Sequence, residues 1–453
     1  MCIRDRVNDG KGNWYSDFTN IKAGSLLRAN GGYLVLNIMH LFEESGVWKS
    51  LKRVLTYNKL EIQESPYHFT MASSSLKPQP IDIDTKVILI GSQMIYAYLA
   101  EREYDFKKMF KVKADFDYEI IHNKNVLVDY AHVIKKLIKQ EKLKEFDKSA
   151  IAHLLEISAI WAGRQTKLTL RFSRIADLAR EASFWAGDDG FNIVSAAHVE
   201  KAFRLAKERH GMLEDKVTEM FENKTLLIDT DGERIGQING LAVYNADFYS
   251  FGRPTRITAT VSLGSGTIIN VEREAGMSGR HYNKGVLIIS GYFRETFGQD
   301  QPLSFNANLV FEQSYGMVDG DSASCTEIFA LLSTLAGLPI QQSIAVTGSL
   351  NQKGEVQPIG GVNEKIEGFF DICKMNGLTG KQGVVIPIQN VADLMLREDV
   401  VDAVRKNKFH VYPISRVEEG IEILTGVKAG VKNQKGYEAV SYTHLTLPTS
   451  DLV

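Results

Sequence analysis

Cysteine is scarce in this sequence: Cys2, Cys325 and Cys373 are the only three in 453 residues, with no C-x-x-C pair. An odd, sparse set excludes a secreted disulfide framework and a cysteine-ligated zinc site, and it points to a reducing cytoplasm. Histidine numbers ten, His281 among them, and none falls in H-E-x-x-H spacing, which argues against a zinc peptidase. Long hydrophobic runs are missing too. The longest apolar stretches, Val87–Ala100 and Ile328–Ile340, are short or broken by polar residues, so neither a membrane span nor a signal peptide is expected. Nor is there an excess of charge of one sign: Lys+Arg 53 against Asp+Glu 55 leaves −2, which gives no global case for nucleic acid or an anionic membrane as partner. No G-x-x-x-x-G-K-[ST] occurs, so the loop that would cradle nucleotide phosphates is absent from the sequence.

What is present is ample for several cores, with 44% hydrophobic and 24% charged residues, and the length predicts two to four domains. The opening M-C-I-R-D-R and the closing V-S-Y-T-H-L-T-L-P-T-S resemble translated adapter read-through. Residues 1–6 and 440–450 are therefore set aside as artefactual ends, and the chain is expected to be a fragment. Between them, residues 20–120 alternate apolar runs (Gly32–Leu36, Lys86–Ile90) with charged helical stretches such as Trp48–Leu55, which predicts a parallel αβ sheet. Residues 125–210 carry helical spacing without strand signals, as in Ile151, Leu154, Leu155 and Ser158, then Ile175, Leu178, Ala179 and Ala182. From Leu226 the pattern turns to β-rich runs, Gly236–Tyr244, Arg256–Leu263 and Thr267–Val271, with Gly264-Ser265-Gly266 read as a hairpin turn. From Gly285 to Thr425 αβ alternation returns, and a boundary is expected near residues 205–225.

The chemistry concentrates in Asp319–Cys325 (D-G-D-S-A-S-C) and Gly360–Lys365 (G-G-V-N-E-K). The first places Ser322 at the start of an apolar helix with Ile328, Leu331, Leu332 and Leu335 inward, where a serine either caps the helix or serves as a nucleophile beside free N–H groups. Lys365 opens a second helix whose Ile366, Phe369, Phe370 and Cys373 recur at i, i+3, i+4 and i+7. A lysine in a first helical turn opposes the macrodipole. The positive helix end and burial both lower its pKa toward a neutral amine able to take a proton from serine, whereas the bland alternative is a solvated lysine beside Glu364. Cys325, on an apolar helix face, reads as a small buried hydrophobe.

Gly316–Ser324 (G-M-V-D-G-D-S-A-S), Thr347-Gly348 and Gly354–Lys365 (G-E-V-Q-P-I-G-G-V-N-E-K) resemble the three catalytic blocks of the Lon protease family, with Thr347 and Lys365 lying 25 and 43 residues after Ser322. The likeness extends over residues 235–427, through Ile238–Val243 and Gly285–Tyr292. It implies an α/β (α+β) chain with a Lon-type peptidase domain over 213–430, Ser322 as nucleophile, Lys365 as general base, Thr347 orienting the amine and Asp319 shaping the site. Asp321 stands where proline is usual and Ser324 where glycine is usual, substitutions similar to those of the Lon-related ATP-dependent protease branch.

Upstream, residues 7–120 resemble the later part of an AAA+ ATPase core and residues 121–212 its helical lid. Gly31–His40 has the form of a Walker B strand, yet Asn37 stands where a metal-coordinating aspartate is expected, and Gly91-Ser92 replaces a clear sensor-1 residue. Arg171 and Arg174 fall at sensor-2 positions or are charges on an amphipathic helix. The resemblance implies protein or peptide substrates, a homo-oligomeric ring (hexameric by the family), ATP and magnesium for the intact protein, and no cofactor or metal for peptide hydrolysis itself. The alternative is a non-catalytic AAA+-like assembly or chaperone subunit with a weak peptidase fold.

Overall fold

A computed structural model describes residues 21–62, 78–246, 249–299 and 302–430, with short backbone strands at Cys2–Arg4, Val7–Asn8, Trp14–Tyr15, Lys432–Asn433 and Gly436–Tyr437. The closing segment 440–450 and residues 1, 5 and 6 lie outside the described residues. Contacts divide the chain into two compact units, residues 1–116 and 117–453.

In the first unit β1 (Tyr33–Asn37) pairs in parallel with β2 (Lys86–Ile90), Asn37 opposite Ile90, as the αβ pattern predicts. Alternation puts Leu34 and Leu36 toward α1 (Val47–Tyr57) and α2 (Gln93–Arg102), in a core with Trp48, Leu51, Val54 and Leu99. The other face leaves Tyr33, Val35, Ile88 and Ile90 exposed.

The second unit begins with four helices, α3 (Lys124–Gln140), α4 (Lys148–Ala162), α5 (Phe172–Asp188) and α6 (Ala196–His210), packed around Leu154, Ile175, Leu178, Val194 and Val199. Asn123 and Asp147 accept the Val126 and Ala150 N–H groups, so α3 and α4 start where side-chain caps satisfy free donors. Two strand pairs stitch the bundle, Glu119–Ile121 with Lys167–Thr169 and Glu145–Phe146 with Ile193–Val194. The pattern over residues 125–210 predicts no strands, yet three of these four lie within that span. These pairs are two or three residues long, too short for alternation to register. Helix α7 (Met212–Glu222) follows after Gly211.

The rest of the second unit is built on a seven-stranded sheet, in the order β5-β6-β4-β3-β7-β8-β9: β3 (Gln237–Ala246), β4 (Tyr249–Leu263), β5 (Thr267–Asn270), β6 (Phe305–Phe311), β7 (Ile344–Val346), β8 (Gly383–Pro387) and β9 (His410–Ile414). Its β3, β7, β8 and β9 run parallel, while β4 is antiparallel to its two neighbours, β3 and β6. The expected Gly264–Gly266 hairpin is not formed, because β6 inserts between β4 and β5 and pairs with both. The Asn306 amide oxygen on β6 accepts from Ser265 N and Thr267 N and shapes the crossing loop. One face of the sheet is covered by α8 (Arg280–Phe297) and α9 (Ser324–Ala336), through Tyr282, Ile289, Ile328 and Leu331. The opposite face carries α10 (Val362–Asn376), with Ile366, Phe369, Phe370 and Cys373 buried as their spacing predicts.

Candidate active site

Helices α9 and α10 lie on opposite faces of the sheet, and β7 ends between them. The segment before α9 supplies Ser322, the first turn of α10 supplies Lys365, and Thr347 directly follows β7. Carboxyl ends of parallel strands are where an open αβ sheet leaves a crevice. There the Lys365 Nζ donates to Ser322 Oγ at 2.9 Å and to Thr347 Oγ1 at 3.0 Å. The Thr347 hydroxyl donates to the Ser322 carbonyl at 3.3 Å, and Gly348 N–H bonds that same carbonyl at 2.9 Å. The serine backbone is thus held from β7 while its hydroxyl faces the lysine.

Ser322 is not the helix cap. Helix α9 starts two residues later, with Ala323 at its N-cap and no side-chain cap bond. The helix-start bonding falls to Ser324, whose hydroxyl donates to the Asp321 carbonyl and accepts from Leu350 N. Neither Ser322 N–H nor Ala323 N–H donates to a backbone carbonyl among the described residues. Both precede the positive end of α9.

Lys365 is 3% exposed, which removes the solvated-lysine alternative. Burial lowers its pKa from 10.5 to about 8, against the pull of the Glu364 and Asp321 carboxylates. A depression of that size disfavours the ammonium by about 3 kcal/mol. Asp321 does not cap the helix either: its carboxylate accepts from the Ser349 hydroxyl at 2.8 Å. Cys325 is buried and free, and its thiol, pushed up by burial, donates to the Ser349 carbonyl.

Asp319 serves the neighbourhood rather than the lysine directly. Its carboxylate accepts from the backbone N–H groups of His281 and Tyr282 at the start of α8 and from the His281 ring. The His281 hydrogen bond, with Gly320 and Tyr282 N–H groups, lowers it to about 2. It therefore pins the Asp319-Gly320-Asp321 turn to α8.

Sequence reasoning missed two contributions. Gly252 on β4 lies so close under α10 that a Cβ there would meet the Glu364 carbonyl oxygen at 1.8 Å and the Lys365 Cα at 2.8 Å. Reciprocally, a Cβ on Gly368 would meet the Gly252 carbonyl oxygen at 2.1 Å. A glycine inside a strand signals close backbone approach, but its partner is not readable from the chain. The second is the wall of a cavity of about 520 Å³ beside Ser322, lined by Gly320, Asp321, Pro358–Gly360, Gln389, Asn390 and Asp393 and reached by Arg164.

The upstream candidates have structural partners. The Asn37 side chain accepts from Met39 N, and that of Ser92 accepts from Ile95 N, each capping the helix that follows its strand. Arg171 and Arg174 place their guanidinium groups over the rings of Tyr118 and Trp161, each at 5.7 Å. The sequence has no phosphate loop, β1 ends in an amide, and no cluster of metal-ligating side chains occurs among the described residues. No described helix is long and apolar enough to cross a membrane.

Three family models match in succession: a LonB-like AAA domain over residues 4–117, an archaeal LonB AAA+ ATPase LID domain over 145–209, and the Lon protease (S16) C-terminal proteolytic domain over 313–426. An AAA module followed by a peptidase domain defines the class. Among curated relatives, a Lon protease homolog of Escherichia coli K12 is 32% identical over 413 residues, covering 89% of this chain and 68% of its own length. The corresponding homolog of Haemophilus influenzae is 33% identical over 413 residues, 89% and 66% respectively, and the archaeal Lon protease of Archaeoglobus fulgidus 33% over 302, 66% and 45%. The chain belongs to the Lon protease family.

Proposed function

We propose that the peptidase region is a serine endopeptidase with a Ser322–Lys365 dyad. The observation that carries this reading is the buried Lys365 amine at 2.9 Å from the Ser322 hydroxyl, beside an open cavity. With the amine neutral, the same contact runs from Oγ–H to Nζ. Ser322 Oγ attacks the scissile carbonyl, Lys365 takes its proton and passes it to the leaving amine, and the acyl-enzyme is then hydrolysed by a water that Lys365 deprotonates. The N–H groups of the Ser322-Ala323 turn, at the α9 N-terminus, are the donors for the oxyanion. Thr347 orients the amine.

On this reading residues 7–120 are part of an AAA+ core, 121–212 its lid and 213–430 the peptidase domain, of a cytoplasmic, ring-forming (hexameric), ATP- and magnesium-dependent protease acting on unfolded or misfolded proteins. The burial and uncommitted state of Cys325 and Cys373 fits a reducing compartment. Peptide hydrolysis routes no step through nucleotide. This chain is expected to cleave short unfolded peptides at the same rate with and without ATP and magnesium, and to leave a stably folded tagged protein intact in both. Nucleotide-stimulated loss of the folded substrate would contradict this expectation and imply a working nucleotide site in this chain.

The base must be neutral to act, so kcat/KM for a peptide should rise with pH through about 8 and level off above it. Stability has the same sign at this group. Its native pKa lies below the unfolded one, so its contribution is present above about pH 10.5 and is lost as pH falls through about 8. A rate profile flat from about pH 6 to about pH 9.5 would count against a lysine base.

A further inference from the structure

The turn that opens α10 is held from outside its own helix. Asn390, 1% exposed in the short 3-10 helix Ile388–Asp393, accepts from Ile359 N and donates to Ile359 O, both at 2.9 Å, as a neighbouring strand would. Ile359 leads into Gly360-Gly361. Gly361 is left-handed at φ 67°, and its carbonyl accepts the Lys365 N–H at 3.1 Å. A Cβ on Gly361 would also meet Val243 at 2.7 Å, so the turn has little room to move. The same Asn390 amide donates to Asp393 Oδ2 at 2.9 Å. Beyond it, Asn363 of α10 donates to the Asp393 carbonyl and accepts from Met395 N. Residues 388–395 therefore grip the first turn of the lysine helix at two points.

This strap is in turn held by the helical bundle. Past the end of α4, Arg164 places its Nε 3.4 Å from Asp393 Oδ1, while Gln165 donates from Nε2 to the Leu394 carbonyl at 2.6 Å and from its N–H to Ala392 O at 3.4 Å. Arg164, Asn390 and Asp393 all line the cavity that holds Ser322. We propose that Asn390 and Asp393 are positioning residues for Lys365, and that Arg164 and Gln165 set their placement, so that a residue pair of the helical bundle tunes peptide hydrolysis. This rests on the dyad reading. A misplacement of a reacting group by about 1 Å can cost about 100-fold in rate. The strap needs to move only slightly.

The test is steady-state peptide hydrolysis by the full chain, alongside the rate of Ser322 labelling by a fluorophosphonate. Asn390→Ala should lower kcat by about 100-fold with KM little changed. Because a buried substitution can harm folding, the deciding variant is Arg164→Ala, at a side chain 50% exposed. It should lower kcat and the labelling rate by about fivefold with an unchanged melting temperature, Arg164→Lys should restore part of the loss, and combining Arg164→Ala with Asp393→Asn should cost less than the product of the two. Wild-type kcat and labelling in Arg164→Ala, or strict additivity with Asp393→Asn, would overturn the proposal. If the wild-type chain labels elsewhere than Ser322, the dyad itself has failed. Labelling at Ser322 that is indifferent to Arg164 refutes the strap alone.

Discussion

Replacing Ser322 by alanine, or Lys365 by alanine, should each abolish peptide cleavage, by at least about 10³-fold, with the circular-dichroism spectrum unchanged. The two losses should not multiply in the double variant, because neither residue acts without the other. The fold should tolerate both. Among the described residues the Ser322 hydroxyl bonds only to Lys365, and removing the lysine also removes a cation that burial disfavours. Thr347→Ala should be milder, about tenfold, since it deletes one orienting bond and leaves both reacting groups in place. Near-normal turnover by Lys365→Ala would refute the dyad, and a protein that unfolds on that change would show the lysine to be structural.

Gly252→Ala should be nearly as damaging, from a position that touches no substrate. The added methyl would overlap the Glu364 carbonyl, and the obstruction is backbone on both sides, with Gly368 equally tight against Gly252. No rotamer change relieves it. Helix α10 has to lift from β4 and carry Lys365 with it. Overpacking of this kind costs about 1–3 kcal/mol of stability, and the displaced amine should cost about 100-fold in kcat. Counting competent sites by fluorophosphonate titration separates slow chemistry from a smaller folded fraction. Wild-type turnover in Gly252→Ala would mean that α10 can shift without moving the amine.

The sequence carried much of this arrangement wherever a local pattern reports a local fact. The i, i+3, i+4, i+7 spacing after Lys365 marks the buried face of α10, and β1 and β2 fall on the two apolar runs that predicted them. A lysine at the positive end of a buried helix signals unusual chemistry by opposing the macrodipole. What stayed hidden depends on who lies next to whom. Gly264–Gly266 looks like any hairpin turn until β6 is found between its flanking strands. Ser322 and Ser324 both look like caps, and only the tertiary bonds to Lys365 and to Leu350 separate their tasks. Asp319 reads as an acid near the site, whereas its partners lie at the start of α8, 38 residues back at His281. Asn390, Asp393 and Arg164 have no motif at all, because their links to the lysine helix and to the bundle run to groups distant in sequence.

The central claim is that Ser322 is made nucleophilic by a neutral, buried Lys365. Its most direct test is the rate at which a fluorophosphonate labels the chain as a function of pH, with the labelled residue identified by peptide mapping. The account predicts a single adduct on Ser322, a rate that climbs through about pH 8 to a plateau, and no adduct in Lys365→Ala at any pH in that range. Labelling of Ser322 at an undiminished rate in Lys365→Ala, or an adduct on another residue in the wild-type chain, would contradict it.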